Sequence, residues 1–231
     1  MVSEGLAPLI SRALDPLARY HRHRVEGIEH VPVLGPALLV IHHSLATYDG
    51  LLLAAAIWHR TGRAPVGLGH DRFFDVPAVA RLADKLGIAR ASPEAGRRLL
   101  AGGELVMVAP GGMWEALRPV QERYQVRWEN RRGFVRLALE AQVPMVLAAC
   151  PRADDLFDVE EHPLTHWVYD NFRWPLPFAK GRRGLPVPRR VELVHHVAPA
   201  LRPPRVEGSM EAAVEALHAE ACEVMRGLLA R

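Results

Sequence analysis

The stretch ALLVIHHSLATYDGLLLAAAIWHR, residues 37–60, decides the class of fold. It begins with five apolar residues, Ala37–Ile41, a run whose length is typical of a buried strand. Two histidines and a short polar loop follow, and from Tyr48 to Arg60 the apolar residues recur at helical spacing. A buried strand that passes directly into a helix indicates an α/β protein.

The same alternation of strand and helix patterns continues along the chain. Strands are predicted at 65–68, 104–108, 144–149 and 191–197, and helices at 76–86, 95–101, 133–142 and 207–229. We therefore expect an α/β fold, a single domain with a mixed central sheet flanked by helices. The chain has 231 residues, which fits one such domain over residues 24–231 more easily than two small ones.

Residues 1–23 are predicted to form an amphipathic helix followed by a basic segment. Leucines and an isoleucine recur at helical spacing within residues 4–20, and Arg22 and Arg24 come directly after them. Two interpretations of this helix are open. It packs on the domain, or it lies in a membrane surface as an anchor.

Composition bounds the class of protein and its compartment. The two cysteines lie in no metal-binding spacing and form no disulfide framework, so a reducing, cytoplasmic environment is expected. No signal peptide is recognisable, and the longest uncharged stretch, residues 31–48, contains prolines, a glycine and histidines. Since a spanning helix needs about 20 mostly apolar residues, we expect no transmembrane segment and only peripheral contact with a membrane.

Positive charge is concentrated in arginine clusters. The net charge is only +3, but basic residues gather at 22–24, 127–136 and 180–190. Such clusters fit anionic lipid, the phosphates of coenzyme A or nucleic acid, and charge alone does not choose among them.

The proline-rich stretch at 175–188 follows Phe172 and Trp174. It is interpreted as a wall of the active site, an interfacial loop or a plain surface connection.

His43 and Asp49 are the first candidates for chemistry. They lie at the end of the predicted strand and on the first turn of the predicted helix, with Thr47 as a candidate N-cap. A carboxylate bound to one imidazole nitrogen fixes the tautomer and leaves the other nitrogen as a base. The pair is half of a hydrolase triad, and no protein nucleophile is needed when the substrate supplies a hydroxyl. His42 is expected to point the opposite way, unless a kink at the strand end exchanges the two histidines.

A glycine-rich turn follows the strand at 104–108. It contains Pro110, Gly111 and Gly112, and Glu115 comes three residues later. Glycines let the backbone approach a ligand closely and present N–H groups to an anion or oxyanion. An ordinary tight turn is the alternative interpretation.

These motifs occur in an order that resembles one family of enzymes. His43-Ser-Leu-Ala-Thr-Tyr-Asp49 resembles the His–Asp motif of glycerolipid acyltransferases related to lysophosphatidic acid acyltransferase, and its spacing is similar to the diacylglycerol acyltransferase-like branch. Three further segments resemble the blocks that follow in that branch: Pro110-Gly111-Gly112 with Glu115, Arg132-Gly133-Phe134-Val135, and Val143-Pro144-Met145-Val146. The resemblance covers about residues 35–150.

The resemblance implies an O-acyltransferase of lipid metabolism. In such an enzyme His43, oriented by Asp49, is the general base on a lipid hydroxyl, which attacks the thioester of acyl-CoA or acyl-carrier-protein. The thioester is a co-substrate, and neither a cofactor nor a metal is implied. By the same resemblance six residues are assigned to substrate binding, namely Arg90, Pro110, Gly111, Gly112, Glu115 and Arg132.

Two departures from the family pattern bear on the acceptor. Many relatives carry an arginine just before the Glu of the glycine block, where this chain has Trp114, and Arg90 is shifted in register. The family's arginines are thought to hold an acceptor phosphate, a task that suits the guanidinium geometry. Their absence favours a neutral acceptor, such as a mono- or diacylglycerol, and no nucleic acid is expected as a partner.

Three alternatives stay open. A thioester or ester hydrolase would use the same His–Asp pair with water in place of the alcohol. A non-catalytic lipid- or nucleic-acid-binding module would use the basic clusters. A metal set is conceivable from Glu160, Glu161, His162 and His166, but Pro163 argues against a regular helix there.

Overall fold

The computed structural model describes residues 7–172, 174 and 176–231. Its helices are α1 (Ala7–Tyr20), α2 (Tyr48–Thr61), α3 (Pro77–Lys85), α4 (Pro93–Ala101), α5 (Gly112–Ala116), α6 (Gly133–Ala141), α7 (Pro163–Phe172) and α8 (Met210–Leu229). Its strands are β1 (Arg24–Glu26), β2 (Ala37–Ile41), β3 (Val66–Gly69), β4 (Ile88–Arg90), β5 (Leu105–Val108), β6 (Met145–Ala149), β7 (Asp158–Glu160), β8 (Phe178–Lys180) and β9 (Val194–Val197).

The main sheet is mixed and has β2 at its centre. Within the described residues seven strands pair in the order β1-β9-β6-β2-β5-β3-β4, and β7 pairs separately with β8. All neighbours in the main sheet are parallel except β6 and β9. The predicted fold class, a single α/β domain with a mixed central sheet flanked by helices, is confirmed.

Alternate residues of the central strands face two different cores. Leu38 and Val40 pack on the side of α6 and α8, in one cluster with Phe134. Leu39 faces the other side, in a cluster with Ile57 of α2. Because side chains alternate along a strand, a continuous apolar run is what a strand covered by helices on both faces requires.

The N-terminal helix packs on the domain. Residues 7–20 form α1, and the rest of the helix predicted over 4–20 lies outside the described residues. Leu14 and Leu17 of α1 belong to the same apolar cluster as Leu52 of α2. Across residues 7–172, 174 and 176–231, no helix combines the length and apolar character needed to cross a bilayer.

The prediction that Pro163 prevents a regular helix was wrong. Proline is tolerated at the first position of a helix, where its missing N–H would have no partner, and α7 begins at Pro163. The residues grouped as a possible metal set make separate contacts: Glu160 with Lys180, Glu161 with His166, and His162 with the Phe178 ring. In the described part of the chain, no three His, Cys, Asp or Glu side chains are arranged to hold a metal ion. Of the segment beyond α7, Arg173 and Pro175 lie outside the described residues.

Candidate active site

An open cleft of about 170 Å³ lies at the carboxyl edge of the sheet, where β2, β3 and β5 end. Most of its lining is apolar side chains and glycines, including Leu51, Met107 and Met113. The polar residues of the lining are His42, His43, Ser44, Thr47, Asp49 and His70. The cleft therefore brings both predicted catalytic residues to one apolar cavity.

A backbone carbonyl fixes the tautomer of His43, and burial keeps its imidazole neutral. Its Nδ1 lies 2.9 Å from the carbonyl oxygen of Ser44. A carbonyl only accepts, so Nδ1 carries the proton and Nε2 keeps its lone pair. Burial lowers the pKa of His43 below its ordinary value, and the nearby Arg118 lowers it further, against the Ser44 hydrogen bond. At neutral pH the ring is therefore a base.

Asp49 is bound to Ser44, and the predicted direct bond to His43 is not formed. The Ser44 hydroxyl donates to Asp49 Oδ1 at 2.7 Å, and no hydrogen bond or ion pair joins the described side chains of His43 and Asp49. Ser44 thus links the two, because its carbonyl binds the imidazole and its hydroxyl binds the carboxylate. Burial raises the pKa of Asp49 to about 6, while the hydrogen bond from Ser44 acts in the opposite direction. Thr47 precedes α2 as expected, but it makes no side-chain cap hydrogen bond.

A buried arginine fixes His42 and excludes it as the base. Arg118 is 4% exposed, and its Nη2 donates to His42 Nε2 at 2.7 Å and to Asp154 Oδ1 at 2.7 Å. The guanidinium also donates to the Glu115 carbonyl at 3.0 Å. Because a guanidinium only donates, the Nε2 lone pair of His42 is already occupied. The expectation that His42 is the structural histidine agrees with this arrangement.

Glu115 is a buried brace and does not face the cleft. It is fully buried, and its two carboxylate oxygens accept the backbone N–H of His43 at 3.2 Å and of Arg127 at 3.1 Å. Burial raises its pKa to about 7, against the pull of Arg118. Its assignment to substrate binding from the family resemblance is better replaced by a positioning role for the His43 backbone.

The glycine turn provides the expected close backbone approach, but at Gly111 and toward Glu115. A Cβ on Gly111 would overlap the Glu115 side chain, so this glycine allows the brace to pack against the turn. Gly112 lines the cleft, but its N–H already donates to the Ala109 carbonyl at 3.0 Å. Pro110 and Gly111 are outside the lining. The expected presentation of turn N–H groups to a ligand is thus not available from Gly112 in this conformation.

The two arginines assigned to substrate binding lie outside the cleft lining. Arg90 is at the end of β4 with Asp71 at 3.5 Å and Asp75 at 3.6 Å. Arg132 lies 3.9 Å from Glu215 of α8. The arginine that contacts the glycine turn is the neighbouring Arg131, whose Nη1 donates to the Gly111 carbonyl at 2.8 Å.

A histidine pair lies behind Asp49, on the side away from Ser44. His195 Nε2 is 4.0 Å from Asp49 Oδ2, and His195 Nδ1 is 2.9 Å from His23 Nε2. Burial keeps the pKa of His195 well below its ordinary value, so the ring is neutral. A proton on Nε2 of His195 would face the carboxylate and leave Nδ1 to accept from His23.

The partners that hold these groups in place are not evident from the sequence. Ser44, Arg118, Asp154 and His195 were not selected as site residues. Arg118 carried one signal, its position three residues after Glu115, a spacing at which side chains are neighbours when the segment is helical. Asp154 and His195 carried none, because they reach the site only through tertiary folding.

Comparison with known proteins identifies the family of this chain. The family model described as Acyltransferase matches residues 22–150, more than half of the chain. Two relatives named "DGAT1/2-independent enzyme synthesizing storage lipids", from Bos taurus and Homo sapiens, are each 31% identical over 177 residues, which is 76% of this chain and 52% and 54% of theirs. The chain thus spans about half the length of these curated relatives.

A solved structure has the same fold. It is the 1-acyl-sn-glycerophosphate acyltransferase PlsC from Thermotoga maritima, with a TM-score of 0.63 and 13% sequence identity, and the match covers 97% of this chain and 80% of that one. At this identity the likeness concerns the fold alone. The family model and the sequence relatives carry the assignment, and this chain belongs to the acyltransferase family, the glycerolipid acyltransferases that its motifs resemble.

Proposed function

We propose that the protein transfers a fatty acyl group from a thioester to the hydroxyl of a neutral lipid, with His43 as the general base. One observation carries the proposal. The Nδ1 of His43 is committed to the Ser44 carbonyl, which leaves Nε2 as an acceptor on an apolar cleft. A positioned base of this kind contributes roughly 10²–10⁴-fold to the rate of proton transfer.

In the proposed reaction one proton moves from the acceptor hydroxyl to His43 and then from His43 to the leaving thiolate. His43 Nε2 takes the proton of the acceptor hydroxyl as its oxygen attacks the thioester carbonyl. The tetrahedral intermediate collapses, the carbon–sulfur bond breaks, and the leaving thiolate takes the proton from the imidazolium. The products are an oxygen ester and a free thiol, so atoms and charges balance without a metal or a cofactor.

Asp49 acts on His43 through Ser44. When His43 becomes an imidazolium, the Ser44 carbonyl accepts a charge-assisted hydrogen bond, and the Ser44 hydroxyl is itself bound to the carboxylate. An ionised Asp49 therefore favours the protonated ring at the step where positive charge develops. Ser44 thus connects His43 and Asp49, in place of the direct hydrogen bond expected from the sequence.

The charge of the cleft supports a neutral acceptor. Its described lining contains no arginine or lysine, and its one carboxylate, Asp49, opposes an anion. Arg90 and Arg132 already have acidic partners. Two relatives are named for the synthesis of storage lipids, and a neutral acylglycerol acceptor fits that name.

The donor and the location follow from the same chemistry. We assign the donor to the acyl thioesters, acyl-CoA or acyl-carrier-protein, because a desolvated thioester reacts with an alcohol without Lewis-acid help. Both substrates carry long apolar chains, so the protein is expected to work at the cytoplasmic surface of a membrane as a peripheral protein.

A product analysis tests the proposal. Purified protein is given labelled acyl-CoA together with monoacylglycerol, diacylglycerol or lysophosphatidic acid, and the products are identified by mass. Transfer to a neutral acylglycerol should exceed transfer to lysophosphatidic acid by about tenfold or more, because a phosphate would enter an apolar cleft without a cation. Efficient use of lysophosphatidic acid alone would contradict a neutral acceptor. Release of free fatty acid at a rate that no alcohol changes would identify a hydrolase.

A further inference from the structure

Exposed apolar side chains are concentrated on two segments. Of thirteen exposed large apolar residues in the described part of the chain, three lie in the α3 segment and six lie within residues 164–187. The α3 group is Val76, Val79 and Leu82, and the second group is Leu164, Trp167, Phe172, Trp174, Leu185 and Val187. Exposed apolar side chains that are grouped in this way often mark an interaction site.

The α3 segment forms one flank of the cleft. His70 and Ile88 both line the cleft. The segment between them, residues 71–87, contains α3, so both of its ends are at the cleft. Val76, Val79 and Leu82 recur every three residues, so they share one face of the helix. Leu82 is 56% exposed. We call these three residues the α3 rim.

Helix α7 belongs to the connection after β6, and β6 lies on the opposite side of β2 from β3, the strand that leads into α3. Met113 lines the cleft, and the next residue, Trp114, packs its ring on His166 at 5.5 Å and on Tyr169 at 5.7 Å. The inner face of α7 is thus tied to the glycine turn beside the cleft. On its outer side Trp167 and Phe172 are 56% and 55% exposed, with their rings 5.6 Å apart. We call Leu164, Trp167 and Phe172 the α7 rim.

The loop that follows β8 carries positive charge that suits an anionic surface. Leu185 and Val187 are exposed in a loop that also carries Arg182 and Arg183, and neither arginine has a carboxylate partner in the described residues. The neighbouring acids Glu160 and Glu161 are occupied by Lys180 and His166. Asp170 is the acidic residue of α7 itself, so the positive charge lies on the loop and not on the helix.

The N-terminal helix does not offer a comparable surface. Leu14 and Leu17 are packed against the domain, and Ile10 lines a crevice together with Trp58 of α2. Leu9 is the exposed apolar residue of its described part. Of the two interpretations of this helix, the described residues 7–20 support packing on the domain, so a membrane-binding surface is sought beside the cleft.

We propose that the α3 rim and the α7 rim dock the protein on an anionic lipid bilayer, with the cleft opening toward the acyl chains between them. The inference deepens the proposed function, because it states how an amphiphilic acceptor reaches His43 without crossing water. Tryptophan and phenylalanine are suited to the lipid–water interface, and the two arginines add attraction to anionic headgroups.

Vesicle binding with matched variants tests this surface. The full chain is mixed with large unilamellar vesicles of phosphatidylcholine and phosphatidylglycerol, and the bound fraction is measured by co-sedimentation. The variants are Trp167→Ser/Phe172→Ser and Val79→Ser/Leu82→Ser. The control is Val33→Ser/Leu34→Ser, which removes two exposed apolar residues from the loop before β2, at the opposite edge of the sheet.

Each rim variant should need about tenfold more lipid for half-maximal binding, because at least one large apolar side chain no longer leaves water. The control should bind as the parent does. Equal binding by the rim variants and the parent, or an equal loss in the control, overturns the assignment. So does binding that disappears in Arg182→Ala/Arg183→Ala but survives in both rim variants, since adsorption would then be electrostatic only.

Binding is measured without turnover, so its result does not depend on the proposed chemistry. Consumption of a short-chain acyl-CoA in the presence of a water-soluble alcohol is recorded in parallel and should be equal in the parent, the rim variants and the control. If none of the proteins, including the parent, catalyses this reaction while the binding results are as predicted, the proposed acyl transfer is refuted and the membrane-binding surface is not. Circular dichroism checks that each variant is folded.

Discussion

At the scale of single residues, the proposed base, His43, is oriented by its own neighbour in the chain. His43 donates to the carbonyl of Ser44, and Ser44 donates from its hydroxyl to Asp49. The tautomer is thus fixed by a backbone group that no side-chain substitution removes. The carboxylate acts one step further away, and its contribution should be smaller than that of the base.

Replacing Asp49 should change both the size and the pH dependence of the activity. In Asp49→Asn the charge that favours the imidazolium is lost, and kcat/KM should fall roughly 10–100-fold, the value of one charge-assisted hydrogen bond. The pKa of Asp49 is raised to about 6 and that of His43 is lowered below 6.5. Full activity needs both groups deprotonated, so kcat/KM should fall as pH drops through the pKa of Asp49 near 6 and the lowered pKa of His43.

The slope of the acid limb distinguishes the two proteins. In the pH range where Asp49 and His43 both titrate in the parent, log kcat/KM should rise with a slope greater than one. In Asp49→Asn the slope should be one, because only His43 titrates. A variant with the parent's slope would show that Asp49 is not coupled to the reaction.

At the scale of elements, the end of β2 and the glycine turn are joined by a buried ionic brace. Arg118, just after α5, reaches His42 after β2 and Asp154 after β6, and Glu115 in α5 binds the His43 backbone. Three strand ends are therefore tied together by one guanidinium and one carboxylate. Buried charges of this kind are costly to separate, because each one left alone remains desolvated.

Arg118→Ala should destabilise the protein by about 3–5 kcal/mol, since it leaves Asp154 buried without its partner. Arg132→Ala is the matched control, because its ion pair with Glu215 is 3.9 Å long and lies on the surface. The control should change the free energy of unfolding by less than about 1 kcal/mol. Urea denaturation measures both. Equal losses in the two variants would contradict the brace.

How far the sequence predicted these elements depends on the element. The helix over Tyr48–Arg60 and the strand over Ala37–Ile41 agree with the structure to within one residue, because long apolar patterns are unambiguous. Helix α7 was missed since Pro163 was treated as a helix breaker, although it occupies the first position. The bridge through Ser44 was not predictable, because it depends on the backbone path of the loop, where Thr47 has φ of 60°.

At the scale of the whole molecule, two buried carboxylates make stability depend on pH. The pKa of Glu115 is raised from 4.5 to about 7 and that of Asp49 from 3.8 to about 6, in both cases by burial. A raised carboxyl pKa contributes stability that is present below the unfolded-state pKa and is lost as pH rises through the folded-state pKa. The fold should therefore lose stability from these groups between about pH 4 and 7.

Glu115→Gln should remove the larger part of this dependence. The variant loses some stability at every pH, because the amide group of glutamine cannot accept both backbone N–H groups through two oxygens. Its side chain, however, does not ionise in the interior as the pH rises. Relative to the parent it should gain on the order of 3 kcal/mol between pH 4.5 and 8, from about 1.4 kcal/mol per pKa unit. Chemical denaturation across this pH range gives the difference. A gap between the two proteins that is the same at every pH would contradict the raised pKa.

The central claim is that His43 is the base, and one rate comparison tests it most directly. Transfer of a labelled acyl group from acyl-CoA to a neutral acylglycerol is measured for the parent, for His43→Ala and for His59→Ala, an exposed histidine of α2. His43→Ala should be folded and slower by about 10²–10⁴-fold, and His59→Ala should match the parent. A folded His43→Ala protein that transfers the acyl group at the parent's rate would contradict the account.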